Sequence, residues 1–171
     1  DVEALRPLPR ISIHAFCISD AVHRTMEQCA GDRRMARVSM RITHGNVAAA
    51  ANMFSSTPTP NLIILESTSG PDGLFHNLND LAEVCDPNSK VVVIGHHNDV
   101  ALYRELVKNG ISEYMVAPVT IADMMSVVST LFIDPEAEPL GRSIAFVGAK
   151  GGVGASTICH NVSWAMSTLF E

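Results

Sequence analysis

Two short stretches hold residues whose types and spacing could do chemistry. In VGAKGGVGAST, Val147 to Thr157, residues Gly148, Gly154 and Ser156 approach the pattern G-x-x-x-x-G-K-[ST], with Gly148 one residue further from Gly154 than the pattern has it and Ala155 where the lysine is expected. Glycines let successive backbone N–H groups converge on phosphate oxygens, a helix starting just after the loop adds its positive end, and the Ser156 hydroxyl would reach a Mg²⁺ ion. The second stretch is NLIILESTSGPDG, an apolar run that ends in Glu66. A single carboxylate at the exposed end of a strand is expected to be solvated.

The elements that must position these residues follow from hydrophobic period. Short apolar runs alternate with amphipathic stretches from Ile11 to Phe132, the pattern of β-α units that build a parallel sheet. Strands are expected at Ile11 to Cys17, Arg37 to Thr43, Asn61 to Glu66, Lys90 to Gly95 and Glu113 to Val116. The stretches between them read as helices, as in Leu74, Leu78, Leu81 and Cys85 on one stripe. Ser19 and Asp99 suit N-caps, Gly31 and Gly110 suit helix ends, and Thr120 with Asp123 resembles a capping box.

The second strand, RVSMRIT, alternates Val38, Met40 and Ile42 with Arg37, Ser39, Arg41 and Thr43, so it belongs at a sheet edge, whereas IIL and VVVI are apolar throughout. An edge position for the second of five strands predicts the doubly wound order 2-1-3-4-5, a flavodoxin-like α/β fold. IDPEAEPLGR, Ile133 to Arg142, carries prolines, acids and a glycine and cannot continue a helix. The expected organisation is one domain over 9–133, a linker over 134–142, and a second unit over 143–171. That second unit opens with a buried strand, SIAFVG, and closes with a helix bearing Ile158, Val162, Ala165 and Leu169 on one stripe. One strand and one helix cannot bury their apolar faces alone, so the natural protein is expected to continue past Glu171. It is also expected to start upstream of DVEALRPLPR, which has no Met.

Composition narrows the function classes. With 47% apolar and 18% charged residues, the chain can bury a real core. A net charge of -6, with basic residues scattered apart from Arg33, Arg34 and Arg37, argues against a nucleic-acid partner. The arginine trio reads as a solvated loop. Cys17, Cys29, Cys85 and Cys159 lack C-x-x-C spacing and read as small buried side chains, and the histidines show no metal-ligand spacing. No apolar run approaches the roughly 18 residues of a membrane span, and the start has no signal-peptide pattern, so a cytoplasmic protein is expected.

The run Thr59 to Leu74, together with EYMVAP, resembles the third strand and the fifth-strand end of response-regulator receiver domains over about residues 9 to 133. By that resemblance Glu66 stands at the phosphoacceptor aspartate position and Ala117, before Pro118, at the lysine position. Receiver chemistry also needs an acidic pair after the first strand and a hydroxyl after the fourth; here only Asp20 is acidic, and the fourth strand ends at Gly95 and His96. Phosphotransfer is therefore not expected, because a hard Mg²⁺ ion has few carboxylate oxygens to bind and the phosphoryl charge has no lysine. Glu66 as an imitation of a phosphorylated aspartate, and a docking role for the face built from Asn98 to Gly110 and Thr120 to Phe132, are what the resemblance leaves.

KGGVGAST is similar to KGGVGKTT, the deviant Walker A loop of the MinD and ParA ATPases, and Lys150 matches the early lysine that in that family reaches a partner's nucleotide. The combination of a degenerate receiver, a linker and this P-loop resembles the CpaE/TadZ family, ATPase-like proteins of tight-adherence (Flp/Tad) pilus assembly. The resemblance implies a nucleotide site at Gly148, Lys150, Gly151, Gly152, Val153, Gly154, Ala155, Ser156 and Thr157. ATP and Mg²⁺ would be cofactors of the full-length protein, with Ser156 as the Mg²⁺ ligand, and no cofactor is expected on the present chain. It also implies a nucleotide-dependent homodimer, pilus and secretion machinery as partners, and peripheral association at the cell pole. Loss of the second lysine costs on the order of 2 to 5 kcal/mol, the scale for truncating one member of a buried charge pair. Weak ATPase activity at most is expected in the intact protein. A ParA- or MinD-type partition or septum-placement ATPase and a phosphorylated two-component regulator are the alternative readings.

Overall fold

The computed structural model describes residues 8–132 and 144–169. The chain divides into two units, Asp1–Pro135 and Glu136–Glu171. In the first, the strands β1 (Ser12–Cys17), β2 (Ser39–His44), β3 (Leu62–Glu66), β4 (Lys90–Gly95) and β5 (Glu113–Val116) alternate with the helices α1 (Asp20–Ala30), α2 (Val47–Phe54), α3 (Pro71–Val84), α4 (Val100–Lys108) and α5 (Ile121–Phe132). All four strand pairings are parallel, and the order is β2-β1-β3-β4-β5, as the edge character of the second strand requires.

The sheet is covered on both faces. Ile13, Ala15 and Cys17 of β1, Leu62 and Ile64 of β3 and Val92 and Ile94 of β4 pack against Val22, Met26 and Cys29 of α1 and Met124, Met125 and Val128 of α5. On the other face Phe16, Ile63, Leu65 and Val93 meet Phe54 of α2, Leu74, Leu78 and Leu81 of α3, and Leu102 and Leu106 of α4. Every residue of β3 is buried, which fits a central strand whose sequence has no polar alternation. β2 exposes Ser39, Arg41 and His44, and it buries Met40 and Ile42 only in part.

The expected caps are present. Ser19 and Asp99 accept from the first amides of α1 and α4. Thr120 and Asp123 exchange hydrogen bonds reciprocally, the Asp123 carboxylate accepting from the Thr120 amide at 3.0 Å and the Thr120 hydroxyl from the Asp123 amide at 3.2 Å. Gly110, just after the C-cap Asn109 of α4, has φ 90°, a conformation that favours glycine. Arg33 and Arg34 sit in a short 3₁₀ turn, exposed as expected. Two of the four cysteines depart from expectation: Cys17 and Cys29 are buried, but Cys85 at the end of α3 and Cys159 are half-buried.

In the second unit the helix α6 (Ala155–Leu169) forms directly after the glycine loop, with Gly152 and Gly154 at φ 78° and 81°. The expected buried strand SIAFVG does not form over its described part: residues 144–148 carry no strand, and Ile144 and Val147 are 56% and 90% exposed. A strand is held by a neighbour's backbone and by apolar cover, and the described residues of this unit offer neither. For the same reason Ile158 is exposed and Val162 and Ala165 are only half-buried. The linker at 134–142 and the side chain of Leu169 lie outside the described residues. Among the described residues no helix is long and apolar enough to cross a membrane.

Gly95, the last residue of β4, lies against the ring of Tyr114, whose hydroxyl donates to the His97 carbonyl at 2.8 Å. A Cβ at Gly95 would collide with that ring. Gly95→Ala is expected to destabilise the protein by about 1 to 3 kcal/mol, the usual cost of overpacking, in urea unfolding. An unchanged midpoint would show that Tyr114 does not lock this corner.

Candidate functional site

A carboxylate on the central strand of a 2-1-3-4-5 sheet ends up between two neighbours, and at Glu66 both neighbours supply donors. β3 pairs with β1 through Phe16↔Leu65 and with β4 through Glu66↔Ile94. The loop leaving β1 therefore lies on one side of the Glu66 side chain and the loop leaving β4 on the other. One carboxylate oxygen, Oε2, accepts from the amides of Ile18 at 2.7 Å and Ser19 at 2.8 Å. The other, Oε1, accepts from the Ser19 hydroxyl at 2.6 Å and meets His96 Nε2 at 3.0 Å. Because an ionised carboxylate only accepts, His96 Nε2 carries the proton of that bond.

This arrangement corrects the expectation that Glu66 is solvated. Its side chain is 0% exposed. Burial opposes the charged form, but the bonds from the Ser19 hydroxyl and amide, the His96 ring and the Ile18 amide outweigh it and hold the carboxyl below the usual glutamate value. Both oxygens are thus engaged by two donors each, which fills the roughly four lone-pair positions of a carboxylate. No oxygen is left for a metal ion, and the group cannot act as a nucleophile without breaking these bonds.

The surroundings agree with that reading. Asp20, the only acid after β1, is exposed and is the first residue of α1. Among the described residues no group of three or more histidine, cysteine, aspartate or glutamate side chains gathers as a metal site. Ala117 and Pro118 leave a recess of about 320 Å³ shared with Val22, Thr25 and His96, where a lysine at position 117 would lie. Cys17, buried beside the site, has its thiol pushed up to about 12 by burial and then by Glu66, so it is no nucleophile at neutral pH.

Sequence reasoning placed Glu66 and Ala117 but missed Ser19 and His96 as partners of the carboxylate. The signal for Ser19 was present, since it is also the N-cap of α1 and accepts from the Val22 amide at 3.3 Å while it donates to Glu66. His96, directly after β4, occupies the place where a hydroxyl was sought.

The glycine loop stands in the second unit. Gly148 is close-packed, because a Cβ there would lie 2.7 Å from Val153 Cγ2 and 3.3 Å from the Lys150 carbonyl oxygen. The loop therefore curls back over Gly148 before α6 starts. Lys150, Gly151, Gly152, Val153, Gly154, Ser156 and Thr157 are exposed, and Ala155, the first residue of α6, is half-buried. The local shape suits an anion at the helix start.

Comparison with known proteins places the fold and more. A pilus assembly protein CpaE from Caulobacter crescentus CB15 is 42% identical, the match covering 75% of this chain and 98% of that one with a TM-score of 0.73. A protein assigned as the CpaE2 pilus assembly protein of Sinorhizobium meliloti 1021 is 36% identical over 71% of this chain and 99% of that one, with a TM-score of 0.69. The receiver domain of the response regulator NarL from Mycobacterium tuberculosis, at 12% identity and TM-score 0.54 over 72% of this chain and 96% of that one, shares the fold alone. No family model and no curated protein matches the chain.

The depressed carboxyl sets a pH dependence. The unfolded chain takes up a proton near the ordinary glutamate value of 4.5 while the folded chain resists it, so this stabilisation is present above that pH and is lost as pH falls toward the lower folded value. Glu66→Gln is expected to cost roughly 2 to 4 kcal/mol at neutral pH, the scale of lost bonds to a charged group, with the deficit shrinking as pH is lowered. Parallel stability profiles of wild type and variant from pH 7 to about 3 would contradict it.

Proposed function

Because the chain belongs to the CpaE family of pilus assembly proteins, we propose that it serves as a localisation and assembly factor for a tight-adherence type pilus secretion system. In this reading the receiver-like unit docks a protein partner and performs no phosphotransfer, and the glycine loop belongs to an atypical nucleotide site that selects a homodimer.

The observation that carries the reading is the saturated, buried carboxylate of Glu66. A receiver that works by phosphorylation needs a free aspartate, a metal and a cation at this place, whereas here the position is spent on holding two loops in one conformation. What such a unit can offer is surface. Val100, Tyr103 and Val107 of α4 and Val116 at the end of β5 are large apolar side chains left between 38% and 63% exposed. The three side chains on α4 lie on the face where the receiver resemblance places the contact, Val116 stands just before that face's second segment, and together they support protein docking there.

For the second unit the glycine loop, Ser156 and the exposed Lys150 support nucleotide binding with ATP and Mg²⁺ in the full-length protein. Lys150 of each copy would offset part of the charge left unpaired by Ala155. Since the second lysine is absent, hydrolysis is slow, and nucleotide acts chiefly through association. Polar, peripheral membrane placement belongs to the same reading.

The test uses the intact protein in cells deprived of their own copy. Lys150→Ala is expected to abolish the ATP-dependent rise in mass seen by light scattering and to lower piliation. Val107→Glu is expected to keep the mass change but lower piliation. Wild-type pilus assembly by both variants would overturn the proposal.

A further inference from the structure

The polar face of the edge strand is not merely solvated. In the β1–β2 register, Ser12 pairs with Ser39, His14 with Arg41 and Phe16 with Thr43, so these side chains stand on one face of the sheet. That face is the one α2 covers, but α2 is only eight residues long. It leaves a cavity of about 430 Å³, within the range of small-molecule sites, at the end of the sheet opposite Glu66. Ser12, His14, Ser39 and Arg41 line it from the strands, Phe54 from α2 and Thr57 from the turn that follows.

The chemistry of the lining is mixed and specific. His14 is buried, its Nε2 lies 2.9 Å from the Thr43 hydroxyl, and its ring stacks on Phe16 at 4.3 Å and meets Phe54 edge-on at 5.8 Å. Burial and then Arg41 push its pKa down, so at neutral pH it is an uncharged ring and Arg41 supplies the positive charge of the cavity. Among the described residues no carboxylate forms an ion pair with Arg41, which is exposed. An arginine fork fits a carboxylate or a phosphate in two-point contact. The Ser39 hydroxyl, paired with Ser12 across the strands, adds a donor on the same face, whereas the Ser12 and Thr57 hydroxyls donate to Asn61 Oδ1 and the Met53 carbonyl.

We propose that this cavity binds a small organic anion, its carboxylate or phosphate held by Arg41 and its apolar body resting against Met53 and Pro58, which line the cavity and are less buried than the rings beneath them. The site is separate from both the Glu66 cluster and the glycine loop, and it does not depend on the function proposed above.

Benzoate and phenyl phosphate serve as probes, titrated into the 171-residue chain while backbone amide shifts are followed by NMR. Saturable shifts at Ser12, Ser39, Arg41 and Thr57 with either probe are expected, and the tighter probe identifies the anion. Arg41→Gln, at an exposed position that leaves the core untouched, is expected to weaken the binding about tenfold or more. Three results would overturn the proposal: no saturable shift at millimolar concentrations, shifts confined to the amides of residues 148–157, or binding unchanged in the variant.

Discussion

Glu66 keeps a negative charge where water does not reach, and the loops at the C-terminal end of the sheet are shaped by the need to supply donors to it. Two backbone amides and the Ser19 hydroxyl come from the β1–α1 loop, and the His96 ring comes from the segment after β4. Removing one side of such a cluster leaves a buried charge or several orphaned donors, so its parts are held together by the cost of separating them, of the order of a few kcal/mol for each. Ser19 extends the constraint further, since the hydroxyl that donates to Glu66 also caps α1. The start of a helix, the ends of three strands and the orientation of one histidine are thus fixed by one carboxylate.

The same fact bears on function. Parallel α/β sheets place their chemistry where this cluster lies, beyond the carboxyl ends of the strands at the point where the strand order reverses, here between β1 and β3. In this chain the fold is kept and the reactive position is filled from within. The hydrogen-bonded end of the sheet is accompanied by exposed apolar side chains on α4 and β5, which agrees with the docking role proposed above. Tyr114, buried with its hydroxyl donating to the His97 carbonyl, ties the segment after β4 to β5.

Much of the fold was legible in the sequence because its signals are local. The alternation in RVSMRIT, set against the uniform apolar runs IIL and VVVI, was enough to place β2 at the edge and to order all five strands. The caps at Ser19, Asp99 and Thr120 were readable for the same reason. The partners of Glu66 were not, because Ser19 and His96 lie 47 and 30 residues away and meet it only through the sheet order. Burial of Glu66 was misjudged because residue type suggests solvent for a lone carboxylate, whereas hydrogen bonds from distant loops decide the matter. The strand expected at SIAFVG failed in the opposite sense. Its apolar pattern is real, but a strand needs a neighbour, and pattern alone does not supply one.

The most direct test of the saturated carboxylate is a titration with Mg²⁺ and beryllofluoride, the phosphoryl mimic, while NMR follows the amides of Ile18, Ser19, Glu66 and His96. With every lone pair of Glu66 engaged from within the chain, these signals are predicted to stay in place at concentrations that saturate a working receiver. Saturable shifts at these four residues would mean that the carboxylate is free to bind, and would contradict the account.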